Sequence, residues 1–125
     1  MEQQPLNYRL QVKICRGDKF FGPGVAQLLL LIDQYHSLQK ATEQMHIAYS
    51  KAWRILREAE RNIGVEIIRK KVGGAGGGGS ELTDEGRDYL QRYLAFEKEV
   101  RQEADRLFAK YFLEVPDPQA HQDET

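Results

Sequence analysis

The chain has 125 residues, of which 41% are hydrophobic and 30% charged, a composition typical of one folded domain and too apolar for a disordered chain. The longest apolar run, residues 28–32, is too short to cross a bilayer and no signal peptide opens the chain, so we expect a cytoplasmic protein with no membrane partner. A single cysteine, Cys15, excludes an internal disulfide and offers no cluster for a metal centre.

The net charge of −1 argues against binding to nucleic acid, but the charges are unevenly distributed. Residues 40–71 hold eight Lys or Arg against four Glu, whereas residues 95–125 hold four Lys or Arg against eight Asp or Glu. The chain therefore has a basic middle and an acidic end.

The first 22 residues predict a β-strand or hairpin. Apolar residues alternate with polar ones from Leu6 to Ile14, which is the pattern of a strand with one buried face. A turn at residues 16–18 and a short return strand over residues 19–21 complete the expected hairpin.

Three helices follow, of which helix 3 is the basic one. Helical spacing of apolar residues predicts helix 1 over residues 25–35 and a short helix 2 over residues 38–45, with Ser37 as its N-cap. After a tight connection, helix 3 is expected over residues 49–63, with Gly64 as its left-handed C-terminal cap.

A second hairpin is predicted next. Residues 65–72 have the β-branched, alternating character of a strand, residues 73–80 form a glycine loop, and residues 81–82 can pair back. Thr83 then caps a long final helix that reaches Phe112.

This order of elements predicts a mostly α protein with a small β component, a winged helix-turn-helix with a long C-terminal dimerisation helix. The expected organisation is an N-terminal strand or hairpin (1–22), a winged helix-turn-helix DNA-binding domain (23–94), the continuation of the dimerisation helix (95–113) and a disordered tail (114–125).

One face of helix 3 is polar, because four residues recur at intervals of four, three and four: Ser50, Arg54, Arg57 and Arg61. Lys51 lies beside them. Arginine can pair with guanine or phosphate, which favours a recognition helix. The alternative is a solvated face whose arginines pair with Glu58 and Glu60.

The second hairpin adds cations beside the glycine loop, at Arg69, Lys70 and Lys71, where charge and bare backbone amides can approach phosphate. Tyr49 opens helix 3 and is expected to contact the DNA backbone. Trp53 follows inward-facing Ala52, which favours packing at the core or its edge over a base contact.

Three segments carry a resemblance to a known family: Ile47-Ala48-Tyr49-Ser50-Lys51-Ala52-Trp53, the glycines 73, 74 and 76–79 after Gly64-Val65, and Leu82-Thr83-Asp84-Glu85-Gly86. Together they resemble the N-terminal DNA-binding domain of ModE-type molybdenum-dependent transcriptional regulators, and more distantly the winged helices of LysR-type regulators. The resemblance covers about residues 24–94. It implies a bacterial-type, dimeric DNA-binding protein whose helix 3 reads the operator.

Molybdate binding is not carried over, because we expect no counterpart of that family's C-terminal molybdate domains in this protein. We expect a stand-alone member without a cofactor, whose effector is unknown. The predicted contacts with double-stranded DNA are Tyr49, Ser50, Lys51, Arg54, Arg57, Arg69, Lys70, Lys71, Gly76 and Gly77. The predicted homodimer contacts are Val100, Ala104, Leu107 and Tyr111.

Other functions fit the sequence less well. The glycine loop lacks the Lys-Ser or Lys-Thr pair of a P-loop, and His36, His46 and His121 lie in separate elements, so neither nucleotide hydrolysis nor a metal site is predicted and no catalytic residue is expected. Cys15 is expected to be buried or inert. The remaining alternative is a winged-helix module that binds protein without binding DNA.

Overall fold

The computed structural model describes residues 4–71 and 79–113. Their elements are, in chain order, β1 (Ile14–Arg16), β2 (Asp18–Phe21), α1 (Pro23–Tyr35), α2 (Leu38–Met45), α3 (Tyr49–Ile63), β3 (Ile68–Lys71), β4 (Gly79–Leu82) and α4 (Asp84–Phe108). A π-helical turn, Ala109–Leu113, continues α4. The predicted mostly α fold with a small β component and a long C-terminal helix is confirmed.

The chain divides into two compact units, and the boundary between them falls within α4. The core unit is Gln11–Ala95, and the terminal unit combines Met1–Leu10 with Phe96–Thr125. The tail predicted to be disordered, residues 114–125, lies outside the described residues.

A single apolar cluster fills the core unit. Helix α1 contributes Leu28, Leu29 and Ile32, all fully or almost fully buried, because their spacing places them on one face. Helix α3 buries only one narrow face, formed by Ala52, Leu56 and Ala59, against this cluster. Its opposite side is consequently left to solvent.

The helix ends follow the expected local rules. The Ser37 Oγ accepts a hydrogen bond from the Lys40 amide at 3.1 Å, as an N-cap should, and Gly64 ends α3 with a φ of +91°. His36 and His46 end α1 and α2 in the left-handed conformation, with φ of +54° and +57°. Both histidines are exposed, and their backbone role was not predicted.

The first hairpin is shorter than predicted. Its turn at Gly17, with a φ of +72°, and its return strand are present, but the strand predicted from Leu6 to Ile14 is wrong. Only Ile14–Arg16 pairs with β2. In the residues before β1, a side chain rather than a neighbouring strand binds a backbone carbonyl. The Tyr93 hydroxyl donates to the Val12 carbonyl at 2.8 Å.

The second hairpin pairs Ile68 with Leu82 and continues to Lys71 opposite Gly79. Its strand β3 begins three residues later than predicted, at Ile68 rather than Val65. The hairpin tip predicted to contain Gly76 and Gly77 lies outside the described residues.

In the terminal unit, the N-terminal segment packs on the second half of α4. The Tyr8 hydroxyl donates to the Asp105 carboxylate, and the Tyr8 and Phe108 rings lie 4.9 Å apart. Arg101 donates to the Leu10 carbonyl at 3.1 Å. This segment therefore covers one side of the helix, a role that the alternation of its apolar residues also allows.

Candidate nucleic-acid interface

The first two turns of α3 present a row of exposed polar side chains. Tyr49, Ser50, Lys51 and Arg54 are all exposed, with Tyr49 at 49%. They face outward because Ala52 and Leu56 anchor the opposite side of the helix in the core. This amino-terminal half is the part of a recognition helix that enters the major groove.

Three side chains stack along α3 beside this row. The Tyr49 and Trp53 rings meet edge to face at 6.3 Å, and the Arg57 guanidinium carbon lies 5.0 Å from the centre of the Trp53 ring. Trp53 is partly buried and packs against the core, as expected. Its outer face therefore orients Arg57 through a cation–π contact.

The last arginine of the polar face is neutralised by a neighbour. Arg61 donates to the Glu58 carboxylate at 2.7 Å, so at this position the alternative of a paired, solvated face is correct. Glu60 has a different role, because its Oε2 accepts a hydrogen bond from the Ile67 amide at 2.9 Å. Within residues 4–71 and 79–113, Arg54 has no ion pair.

The second hairpin, formed by β3 and β4, stands at the position of the predicted wing and is called the wing below. Its three cations, Arg69, Lys70 and Lys71, are exposed on β3. Arg69 is ion-paired with Glu81 on the partner strand at 3.0 Å, because these two residues face each other in the ladder. Lys70 and Lys71 lie opposite Ser80 and Gly79, which carry no charge. Two of the three wing cations are thus left without a carboxylate opposite them.

The base of the wing is fixed by contacts that were not predicted. The Ser80 amide donates to the His36 carbonyl at 3.0 Å, which ties β4 to the end of α1. The Thr83 Oγ1 donates to the Glu66 carbonyl at 2.6 Å and accepts from the Gly86 amide at 2.9 Å. Thr83 therefore caps α4, as predicted, and also holds the chain entering β3.

Gly86 explains part of the Leu-Thr-Asp-Glu-Gly segment that carried the resemblance. A Cβ at this position would lie 2.1 Å from the Ile67 carbonyl oxygen, so the first turn of α4 can cross this backbone only with glycine. This role of Gly86 was not predicted, and the signal that could have indicated it is a glycine inside a helical pattern.

An ion pair between Asp33 and Arg87 joins α1 to α4. Both guanidinium nitrogens of Arg87 donate to the Asp33 carboxylate, at 2.7 and 2.9 Å. These hydrogen bonds, together with the positive charge of Arg87, lower the pKa of Asp33 against the opposing effect of burial. The pair therefore links α1 and α4 directly.

Metal-ligating side chains are not clustered in the described part of the chain. Residues 4–71 and 79–113 contain no group of three His, Cys, Asp or Glu placed to hold a metal ion. Cys15 is exposed rather than buried, and its thiol donates to the Lys13 carbonyl at 3.8 Å. No helix in the same residues is long and apolar enough to span a membrane.

Of the predicted dimer contacts, Val100 and Ala104 are half-buried, whereas Leu107 and Tyr111 are 37% and 67% exposed. Phe96, one turn before Val100, is also exposed. The second half of α4 therefore keeps an apolar strip beside the side covered by the N-terminal segment.

Comparison with known proteins shows a partial similarity to a curated protein. No family model matches the chain. Over 82 residues it is 33% identical to the molybdenum transport protein ModE of Azotobacter vinelandii. The match covers 65% of this chain and 30% of the length of that protein, so a ModE-like relationship holds for the matched part.

Proposed function

We propose that the chain is a cytoplasmic, sequence-specific transcriptional regulator that binds double-stranded DNA through α3 and the wing. The observation that carries the proposal is the exposed row of Ser50, Lys51 and Arg54 at the amino-terminal end of a helix whose other side is anchored in the core. Such an end can enter the major groove while the core stays intact.

The residues have different roles in this proposal. Arg54 reads a base edge, because it is exposed and lies one turn into the helix. Tyr49, Ser50 and Lys51 contact phosphates at the entry of the helix. Arg57, already oriented by Trp53, contacts the backbone with less loss of side-chain entropy than a free arginine.

The wing supplies a contact that does not depend on sequence. Lys70 and Lys71 neutralise phosphates next to the groove occupied by α3. Gly76 and Gly77, which lie outside the described residues, stay predicted DNA contacts. Arg69 contributes less, since it would exchange its ion pair with Glu81 for a phosphate.

A homodimer places two recognition helices on one site. We infer that the strip of Val100, Ala104, Leu107 and Tyr111 packs against the same strip of a second copy, because no described residue covers Leu107 or Tyr111 enough to bury it. Two-fold symmetry would then set the two α3 helices about 34–36 Å apart, matching one turn of DNA.

The second candidate is a winged-helix module that binds protein without DNA. The pairing of Arg61 with Glu58 and of Arg69 with Glu81 favours it, because both pairs reduce the charge available to phosphate. Retention on DNA at low salt that disappears at high salt distinguishes the candidates, since a protein-docking module needs no phosphate contacts.

The decisive experiment compares two arginines on the same helix. Selection from random DNA first yields a binding site, and fluorescence anisotropy then gives the affinity of Arg54→Ala and of its matched control, Arg61→Ala. Arg54→Ala should cost about 1–3 kcal/mol for the selected site and relax its specificity, as loss of a base contact does. Arg61→Ala should cost less than about 0.5 kcal/mol, because that side chain is paired with Glu58 and lies about two turns further on. Selection of no site, or equal and negligible losses for both variants, contradicts the proposal.

A further inference from the structure

A groove lies in the core unit where the first hairpin, the start of α1 and the first half of α3 meet, and its volume is about 640 Å³. That volume is within the range of about 300–1,000 Å³ common for small-molecule sites. Its lining is largely apolar and includes Phe20, Val25, Leu28, Met45, Ile47 and Ile55. Several of them, including Val25 and Met45, are only partly buried although they adjoin the core. The groove therefore offers an apolar surface to a ligand.

Exposed cations also line this groove: Lys13, Lys19, Lys51 and Arg54. In residues 4–71 and 79–113 these four side chains form no ion pair. The one carboxylate in the lining, Glu58, is already engaged, since it accepts hydrogen bonds from Arg61 at 2.7 Å and from Asn62 at 3.2 Å. The groove thus combines an apolar surface with uncompensated positive charge.

Two of the cations are held close to each other. The neighbouring Lys19 side chain, with its like charge, lowers the pKa of Lys13. They come together because the turn at Gly17 folds β2 back on the chain, with Ile14 opposite Phe21. An anion between the two ammonium groups would replace their repulsion with two charge-assisted hydrogen bonds.

We propose that this groove binds a small organic acid with an apolar body, whose carboxylate lies between Lys13 and Lys19 and whose body packs on the apolar lining. The charge of the four cations selects an anion, and the apolar side chains select against small inorganic ions, which would leave them exposed to water. In this proposal the organic acid is an effector that the chain binds by itself.

Lys51 and Arg54 connect the groove to α3, and this second part rests on the proposed function. Both side chains line the groove and also belong to the exposed row on α3. A bound acid therefore competes with DNA for the same two cations, and acid and DNA weaken the binding of each other by the same factor.

The acid site can be tested without DNA. Amide chemical shifts are followed by NMR while octanoate or 4-phenylbutyrate is added at constant ionic strength, with 1-octanol and 4-phenylbutanol as uncharged controls. We expect saturable shifts for at least one acid at residues lining the groove, and binding of the matched alcohol about tenfold weaker, as loss of charge-assisted hydrogen bonds implies. No saturable shift with either acid, or equal binding of acid and alcohol, overturns the proposal.

Variants locate the site. Lys13→Gln combined with Lys19→Gln should weaken acid binding about tenfold, whereas Lys40→Gln combined with Lys98→Gln, an equal change of charge away from the groove, should not. All four positions are exposed, so the fold should tolerate these changes, and circular dichroism verifies it. If acid binding weakens equally in both double variants, it depends only on the net charge of the protein, and the proposed site is overturned.

Competition is measured separately on the selected DNA. Acid at a concentration near its wild-type dissociation constant should lower the DNA affinity of the wild type clearly and that of the Lys13→Gln, Lys19→Gln variant much less. Unchanged DNA affinity overturns the coupling. A protein that binds the acid but no DNA at all contradicts the proposed function and leaves the acid site supported, so the two failures are distinguishable.

Discussion

Gly86 lets the first turn of α4 cross the backbone of Ile67, and the Gly86→Ala substitution measures how tightly this crossing is packed. The added Cβ would lie 2.1 Å from the Ile67 carbonyl oxygen and 2.8 Å from both its carbonyl carbon and its Cα. The shortest of these separations requires either α4 or the backbone of Ile67 to move by about 1.4 Å to restore van der Waals contact at about 3.5 Å.

The Ile67 backbone cannot yield cheaply, because it is held on both sides. Its amide donates to Glu60 at 2.9 Å, its carbonyl accepts from the Thr83 amide at 3.0 Å, and its side chain is fully buried. Overpacking costs about 1–3 kcal/mol, and the rigid backbone neighbour places this case at the upper end. Alanine regains about 1 kcal/mol through its helix propensity, so the net loss should be about 2 kcal/mol.

Urea denaturation followed by circular dichroism and by the fluorescence of Trp53 measures this loss. Gly24→Ala is the matched control, because Gly24 also lies in the first turn of a helix but has nothing within 4 Å of its added Cβ. The control should be neutral or more stable by up to about 1 kcal/mol. If Gly86→Ala matches the stability of Gly24→Ala, the close crossing does not determine how the wing is seated.

Three further predictions concern charge and assembly. Replacing the wing cations together with Gln should weaken binding to every DNA sequence and flatten the dependence of log affinity on log salt, while sequence preference survives; an unchanged slope removes the wing from the interface. Sedimentation at tens of micromolar should show a wild-type dimer and a monomeric Val100→Glu, Leu107→Glu variant, and a wild-type monomer or a dimeric variant contradicts the inferred strip. Because Arg87 lowers the pKa of Asp33 in the folded state, their pair stabilises the fold above the unfolded pKa of about 3.9 and loses this effect as the pH falls through the folded pKa. Asp33→Asn should therefore cost no more than about 1 kcal/mol near pH 7, since both side chains are partly exposed, and the difference from wild type should vanish in acid urea titrations.

The helices were predictable because their signals are local. The bounds of α2 and α3 agree with the sequence pattern, since Ser37 and Gly64 act on the neighbouring turn and need no distant partner. The strand expected from Leu6 to Ile14 failed for the opposite reason. A strand requires a pairing partner, and alternation equally describes a segment that lays one side against a helix, as Tyr8 does on Phe108.

The residues of the candidate interface were predictable from the sequence, but the side-chain contacts that each of them makes were not. The sequence places Arg54, Arg57 and Arg61 on one helical face, and only the fold shows that Trp53 orients one of them and that Glu58 neutralises another. The groove escaped prediction altogether, because Lys13 and Lys19 meet through a hairpin whose register is irregular between Ile14 and Cys15.

The three arginines of α3 have different surroundings that depend on their position along the helix. Arg61, near the carboxyl end, is neutralised by Glu58 and is also well placed there for the helix dipole. Arg57, in the middle, is oriented by Trp53, whereas Arg54, near the amino end, keeps both its charge and its freedom. A DNA phosphate, a base edge and an organic acid would therefore all be drawn to the same two turns of the helix. Regulation by competition needs no movement between distant sites in this arrangement, because ligand and DNA would share Lys51 and Arg54.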